Sequence, residues 1–283
     1  MRLALCHLLK LENRHLNGIE DMAENQSGLR VTILGTGTCV PSLRRSSCSV
    51  MMQVGTSKLL FDSGPGTMRR LLETDTTIFE ISHIFYSHLH PDHSGEFVPF
   101  VFATKYPDNR RRTIPLTVGA GRGFVDFYEA LKTAYGSWIE LAPRQLNIIE
   151  FDNLRNDFRQ FENFTVETAP VVHSPQSIAY RITDSGGCSA VYTGDTDYSE
   201  TIIDLAKNTD LLICECALPD SLRVKGHLTP SLAGDLATKA GVRQLALTHF
   251  YPQCDDEDIA AQCRRSYAGP LIVAEDLMQI KVR

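Results

Sequence analysis

The chain has 283 residues, 43% of them hydrophobic, and a formal net charge of −6. That length suffices for one large core, and the acidic balance disfavours a broad nucleic-acid surface, which would have to neutralise many phosphates. No apolar run approaches the ~18 residues of a membrane span, and the stretch from Leu3 to Leu11, broken by His7 and Lys10, lacks a small-residue cleavage site, so a cytoplasmic chain is expected.

Residues 1–28 read as a poorly ordered N-terminal extension, because Met22 opens a segment that runs directly into the first strand, and residues 29–283 are expected to form one domain. An apolar strand over 29–34 leads into Gly35-Thr36-Gly37-Thr38, a glycine motif too short for a dinucleotide and better read as a tight loop. Residues 49–54 and 58–61 flank the turn Gly55-Thr56-Ser57 as a hairpin. Asp62-Ser63-Gly64-Pro65-Gly66 separates it from a helix over 67–72. A short strand over 81–86 ends directly at His88-Leu89-His90-Pro91-Asp92-His93.

A helix over 97–106, a strand over 115–118 and an amphipathic helix over 123–135 follow, the last with Phe124, Phe127, Tyr128 and Leu131 on one face. Strands are predicted over 145–151, 164–168, 178–183 and 189–192, then a helix over 201–207 and a strand over 211–214. A helix over 230–240 closed by Gly241, a strand over 244–248 and an acid-headed helix over 255–265 complete the chain. Strands with helices, twice over, predict an α/β fold of two mixed sheets packed face to face with helices outside. The eight cysteines include no C-x-x-C pair and read as free thiols, with Cys214 and Cys216 as core fillers. Arg44 with Arg45, and Arg110 to Arg112, read as solvated loop charge. His7, His15 and His83 read as surface or packing residues.

The block from His88 to His93 puts three imidazoles and a carboxylate into six residues after a buried strand. Imidazoles so crowded repel one another when protonated, so a cation is their natural partner. Downstream, His173, Asp195 and His249 each end an apolar strand. Each is a weak signal alone, but together they supply what two metals need, including one carboxylate able to bridge ions ~3.5–4 Å apart.

These residues, with Leu34 to Thr38, Leu60-Phe61-Asp62-Ser63-Gly64, Tyr192-Thr193-Gly194-Asp195-Thr196, Gly226-His227-Leu228-Thr229 and Leu247-Thr248-His249-Phe250, resemble the metallo-β-lactamase superfamily, and within it the ribonuclease Z and phosphodiesterase branch. The resemblance runs from about Val31 to the C-terminus and implies a four-layer αββα sandwich. It implies that His88, His90 and His173 hold one divalent ion, that Asp92, His93 and His249 hold a second, and that Asp195 bridges them. Zinc suits these ligands, and manganese or iron would also fit. Asp62 would accept a hydrogen bond from a ligand histidine, although an Asp before Ser-Gly-Pro-Gly also suits a plain turn.

The implied chemistry is hydrolysis by a metal-bridging hydroxide, with Asp92 holding the nucleophile's proton and His227 donating a hydrogen bond or proton to the phosphate. Glu215 would orient His227, or be an ordinary strand-end Glu. The expected substrate is a small phosphodiester and the expected assembly a homodimer. RNA is less favoured: the long arm with which ribonuclease Z grips transfer RNA lies between the residues matching His173 and Asp195, and here those are only 22 positions apart. Carbon-ester, lactone or aryl sulfate-ester hydrolysis is the alternative, since the text from His90 to Glu96 also resembles arylsulfatase-like members, as is true transfer-RNA 3′ processing. A decayed, non-catalytic binding module is disfavoured by the complete ligand set.

Overall fold

The computed structural model describes residues 28–105 and 112–282, so the extension predicted over 1–28 lies, Gly28 apart, outside the described residues, as do Tyr106, Arg110 and Arg111. Seven strands form the first sheet: β1 (Leu29–Gly35), β2 (Ser49–Val54), β3 (Ser57–Phe61), β4 (Ile81–Tyr86), β5 (Leu116–Gly121), β6 (Leu146–Phe151) and, from the chain end, β14 (Met278–Lys281), in the order β14-β1-β2-β3-β4-β5-β6. The second runs β13-β12-β11-β10-β9-β8-β7, from β7 (Asp157–Gln160), β8 (Phe164–Pro170), β9 (Ile178–Asp184), β10 (Ser189–Tyr192), β11 (Leu211–Glu215), β12 (Leu245–Thr248) and β13 (Leu271–Val273). Both sheets are mixed. The first pairs antiparallel from β14 to β3 and parallel from β3 to β6; the second pairs antiparallel from β7 to β10 and parallel from β10 to β13.

Alternation along the strands explains the layering. Leu211 and Ile213 of β11 face the first sheet, sharing a core with Val31, Ile33, Phe61, Phe85 and Tyr180, while Leu212 and Cys214 face outward onto helices. A strand covered on both sides reads as an unbroken apolar run, which is how Leu211 to Cys214 reads. Three helices, α1 (Thr67–Glu73), α3 (Phe97–Lys105) and α4 (Phe124–Tyr135), cover the first sheet through Leu71, Phe97, Phe100 and Phe124. On the other side α5 (Glu200–Leu205), α6 (Pro230–Ala240) and α7 (Ile259–Cys263) cover the second through Ile202, Leu236, Ala237 and Ile259. The result is the expected four-layer α/β sandwich. Each fully buried Phe, Leu or Ile contributes roughly 1.5–3 kcal/mol.

One rim of the sandwich collects the C-terminal ends of β4, β8, β10, β11 and β12. The two sheets are tied there by Tyr180, whose hydroxyl donates to the Tyr86 carbonyl at 2.7 Å, and by the Ile178 amide, which donates to the Ser87 carbonyl at 2.9 Å. A single-turn helix, α2 (Pro91–Ser94), starts at this rim with Pro91 in its first turn.

Some expectations need correction. The helix predicted over 255–265 is a 3-10 turn (Pro252–Asp256) and then α7, because Glu257 is extended and the Asp258 side chain restarts the helix by accepting from the Ala261 amide. Strands β7, β13 and β14 are short edge or near-edge segments whose pattern gave no signal. Arg45 and Arg112 are not solvated loop charges: they are 9% and 3% exposed. Arg112 donates to the carbonyls of Ile78 and Ile81, and Arg45 is held by Asp255 and Thr36. His83 packs among Phe85, Phe161 and Phe164. Among the described residues seven cysteines are free, Cys214 and Cys216 buried as core fillers. No described helix is long and apolar enough to cross a membrane.

Candidate metal centre

The site is assembled from Asp62 outward. Asp62 follows β3 with a left-handed φ of 57° and is fully buried. Its carboxylate accepts from the Ser87 amide (2.8 Å), the Ser87 hydroxyl (2.7 Å), the Tyr192 hydroxyl (2.6 Å) and His93 Nδ1 (2.7 Å). Four donors make a buried carboxylate tolerable. Turn former and hydrogen-bond acceptor are thus both true of Asp62.

This arrangement orients three imidazoles. His93 Nδ1 donates to Asp62, which aims Nε2 into the site. Burial works against a charged ring, but Asp195 and Asp62 outweigh it and raise the pKa well above the usual histidine range, so a cation at Nε2 would displace a proton. The Ser87 hydroxyl, already donating to Asp62, accepts from His88 Nδ1 at 3.0 Å and leaves His88 Nε2 bare. His173 Nδ1 donates to the Gly226 carbonyl at 2.8 Å, baring its Nε2 in the same way. Gly194, beside Asp195, is required by the backbone: φ is 56°, and an added Cβ would lie 2.3 Å from Ser87 Cβ.

All seven sequence-predicted ligands come together. His173 Nε2 is 3.2 Å from His90 Nδ1, and His93 Nε2 is 3.2 Å from His249 Nε2. One oxygen of Asp195, Oδ1, lies 3.2 Å from both His93 Nε2 and His249 Nε2. The other, Oδ2, faces His88 Nε2 at 3.8 Å and His173 Nε2 at 3.7 Å. Asp92 Oδ2 is 3.8 Å from His93 Nε2 and from His249 Nε2. Donors around one tetrahedral zinc, with Zn–N near 2.05 Å, stand ~3.4 Å apart, so both groups have room for one ion. Two separate sets emerge, His88, His90, His173 with Asp195, and Asp92, His93 with His249, and a third grouping, Asp195 with His227 and His249, shares a donor with each.

The donors fit divalent cations on a second ground. His88 Nε2 and Asp195 Oδ1 are buried without a hydrogen-bond partner, which a protein tolerates only where something else satisfies them. Burial, aided by the other histidines, pushes His88 well below its ordinary pKa, leaving the neutral imidazole that metals take. Burial raises the Asp195 carboxyl, but His249 and His93 outweigh it and hold it well below the usual carboxylate range.

His227 stands beside this set. Its Nδ1 is 3.0 Å from Glu215 Oε1, 3.3 Å from Oε2 and 4.0 Å from Asp195 Oδ2. Glu215, buried at the end of β11, also accepts from the Thr196 amide at 2.6 Å. Burial works against a charged His227, yet Glu215 outweighs it and raises the pKa to about 9; burial likewise raises Glu215. Because Nδ1 is committed to Glu215, His227 is poorly placed as a further ligand, although it lies close to Asp195 and His249. Tyr251 stands edge-on to His227 and His249, both rings 6.3 Å away. Sequence reasoning passed over it, and its position two residues after His249 was the available signal.

The family model described as "Beta-lactamase superfamily domain" matches residues 57–250. Ribonuclease Z 1 of Schizosaccharomyces pombe is 32% identical over 271 residues, covering 83% of this chain but 33% of that one, so the chain spans about a third of this relative's length. The ribonuclease Z of Methanosarcina mazei is 25% identical, with 90% of this chain and 98% of that one covered. Among solved structures, the metallo-β-lactamase fold protein YhfI of Bacillus subtilis superposes with a TM-score of 0.76 at 23% identity, over 89% of this chain and 98% of that chain, a likeness of fold. Fold, converging donors and matched residues agree: the chain belongs to the β-lactamase superfamily of hydrolases, in its ribonuclease Z-like branch.

Proposed function

We propose that this chain is a dinuclear phosphodiesterase in which His88, His90 and His173 would hold one divalent cation, Asp92, His93 and His249 would hold the other, and Asp195 would offer a carboxylate oxygen to each. The mixed imidazole and carboxylate donors suit zinc. Two cations bound there would lower the pKa of a water and offset charge on phosphoryl oxygens. Asp92, whose Oδ2 faces both His93 and His249, takes up the proton of the attacking water. His227 donates a proton or hydrogen bond on the leaving-group side, and Glu215 keeps Nδ1 engaged so that Nε2 is free for substrate.

The pairing of His227 with buried Glu215, beside the seven proposed ligands and with Nδ1 4.0 Å from Asp195, is the observation that carries this reading. An alkoxide leaving a phosphate is a poor leaving group and needs such an acid. The names of the ribonuclease Z relatives support cleavage of phosphodiesters. A small substrate is supported by β9 and β10: they pair from Thr183 with Ser189 to Tyr180 with Tyr192, and this hairpin occupies the span between His173 and Asp195 without a projecting arm. A small or flexible diester, such as a cyclic nucleotide, fits this better than a folded RNA.

A parallel assay of zinc-loaded protein on bis-p-nitrophenyl phosphate, p-nitrophenyl sulfate and a lactone tests the reaction class. The phosphodiester is expected to be turned over at least ten times faster than the others. A faster sulfate ester or lactone would assign the centre to that chemistry instead.

A further inference from the structure

His249 differs from the other buried imidazoles of the site. The Nδ1 atoms of His88, His93 and His173 each meet an oxygen that fixes the ring, whereas His249 Nδ1 is buried without a partner. Its backbone is also left-handed, with φ 62°, a conformation that a residue with a side chain adopts only where its surroundings impose it. With no hydrogen bond at Nδ1 to set it, the direction of the His249 ring rests on its main chain and on the rings of His227 and Tyr251 beside it.

The main chain here is held by residues remote in sequence. The Phe250 amide donates to the Thr36 carbonyl at 2.7 Å. Thr36 is fully buried, and its amide and hydroxyl both donate to Asp276 Oδ1, at 2.8 and 2.7 Å. Asp276 Oδ2 accepts from the Ser46 amide at 2.7 Å and from Arg70 at 2.9 Å. Arg45 completes the assembly: one nitrogen donates to the Thr36 hydroxyl at 2.8 Å, another to Asp255 at 2.9 Å, and its guanidinium lies 4.7 Å from the centre of the Phe250 ring. Gly35 lets the two segments meet, since an added Cβ would lie 2.1 Å from the Ser47 carbonyl oxygen. Thr36, Arg45 and Asp276 all fall outside the stretch matched by the family model.

We infer that Asp276 is a positioning residue for one cation site: with Arg45 it clamps Thr36, and Thr36 holds the left-handed turn that aims His249. The inference rests on the two-cation reading above. It implies asymmetry, because the clamp touches the site of Asp92, His93 and His249 and leaves that of His88, His90 and His173 untouched. Losing the support of a ligand commonly costs 10–100-fold in metal affinity.

Cobalt titration of the metal-free protein, followed by absorption of the bound ion, separates the two sites without an activity assay. Wild type is expected to bind two equivalents tightly. In Asp276→Ala one equivalent should bind with unchanged affinity and spectrum and the other at least about 10-fold more weakly, with Asp276→Asn in between. Equal weakening of both sites would mean a merely structural role and would overturn the inference, as would two unchanged sites. A wild type that binds a single equivalent would remove the two-cation reading and the clamp together, whereas two sites in wild type with no selective loss in the variant removes the clamp alone. If Asp276→Ala does not fold, Asp276→Asn and Arg45→Lys are judged by the same selective loss.

Discussion

Asp195→Ala should lose both cations and lower phosphodiester turnover by more than about 1000-fold. The size of the effect follows from the two directions in which the carboxylate points. Oδ1 lies 3.2 Å from His93 and His249, and Oδ2 lies 3.7 and 3.8 Å from His173 and His88. Removing a donor at the edge of one site would weaken that site alone, whereas removing this one strips an anionic oxygen from each and leaves several imidazoles facing one another. Elemental analysis after reconstitution, with circular dichroism to confirm folding, checks the result. Two tightly held ions in the folded variant would show that Asp195 does not bridge.

His227→Ala should do the opposite with respect to metal: both cations stay, and turnover falls by roughly 100-fold on a diester with an alkoxide leaving group. Nδ1 of His227 is taken by Glu215, so its loss removes no donor from either group. The defect should shrink on bis-p-nitrophenyl phosphate, because p-nitrophenolate leaves without help from an acid. Glu215→Gln should show a smaller defect of the same leaving-group dependence. Loss of metal in His227→Ala, or equal defects with both leaving groups, would mean that His227 does not act as the acid.

The parts of this site that are close in sequence were the easiest to read from it. His88 to His93 are crowded into one loop, and no bland packing role accounts for three imidazoles and a carboxylate there. His173, Asp195 and His249 are single residues at strand ends, and only the resemblance set them apart from other strand-end polar residues. The fold brings them together because β8, β10 and β12 end at the rim where β4 ends. Layering was legible because Leu211 to Cys214 is apolar throughout, as expected of a strand covered on both faces. The support of the site was not legible. Arg45 and Asp276 lie 9 and 240 positions from Thr36 and bear charges that, taken one at a time, look like surface. Only their burial shows otherwise. The short strands β13 and β14 escaped for a related reason: three or four residues carry too little periodicity to register.

Substrate size can be decided in one preparation of zinc-loaded protein by measuring kcat/KM for a small phosphodiester and for a 3′-extended transfer RNA at physiological salt. With no arm between His173 and Asp195 and a net charge of −6, RNA should be held only at the ~10⁻⁴–10⁻⁶ M level of non-specific contacts. The small diester should then be cleaved at least as efficiently as the RNA. Accurate 3′-end cleavage of transfer RNA at nanomolar enzyme, faster than every small diester tried, would contradict the assignment and make the chain a transfer-RNA processing enzyme that grips its substrate by other means.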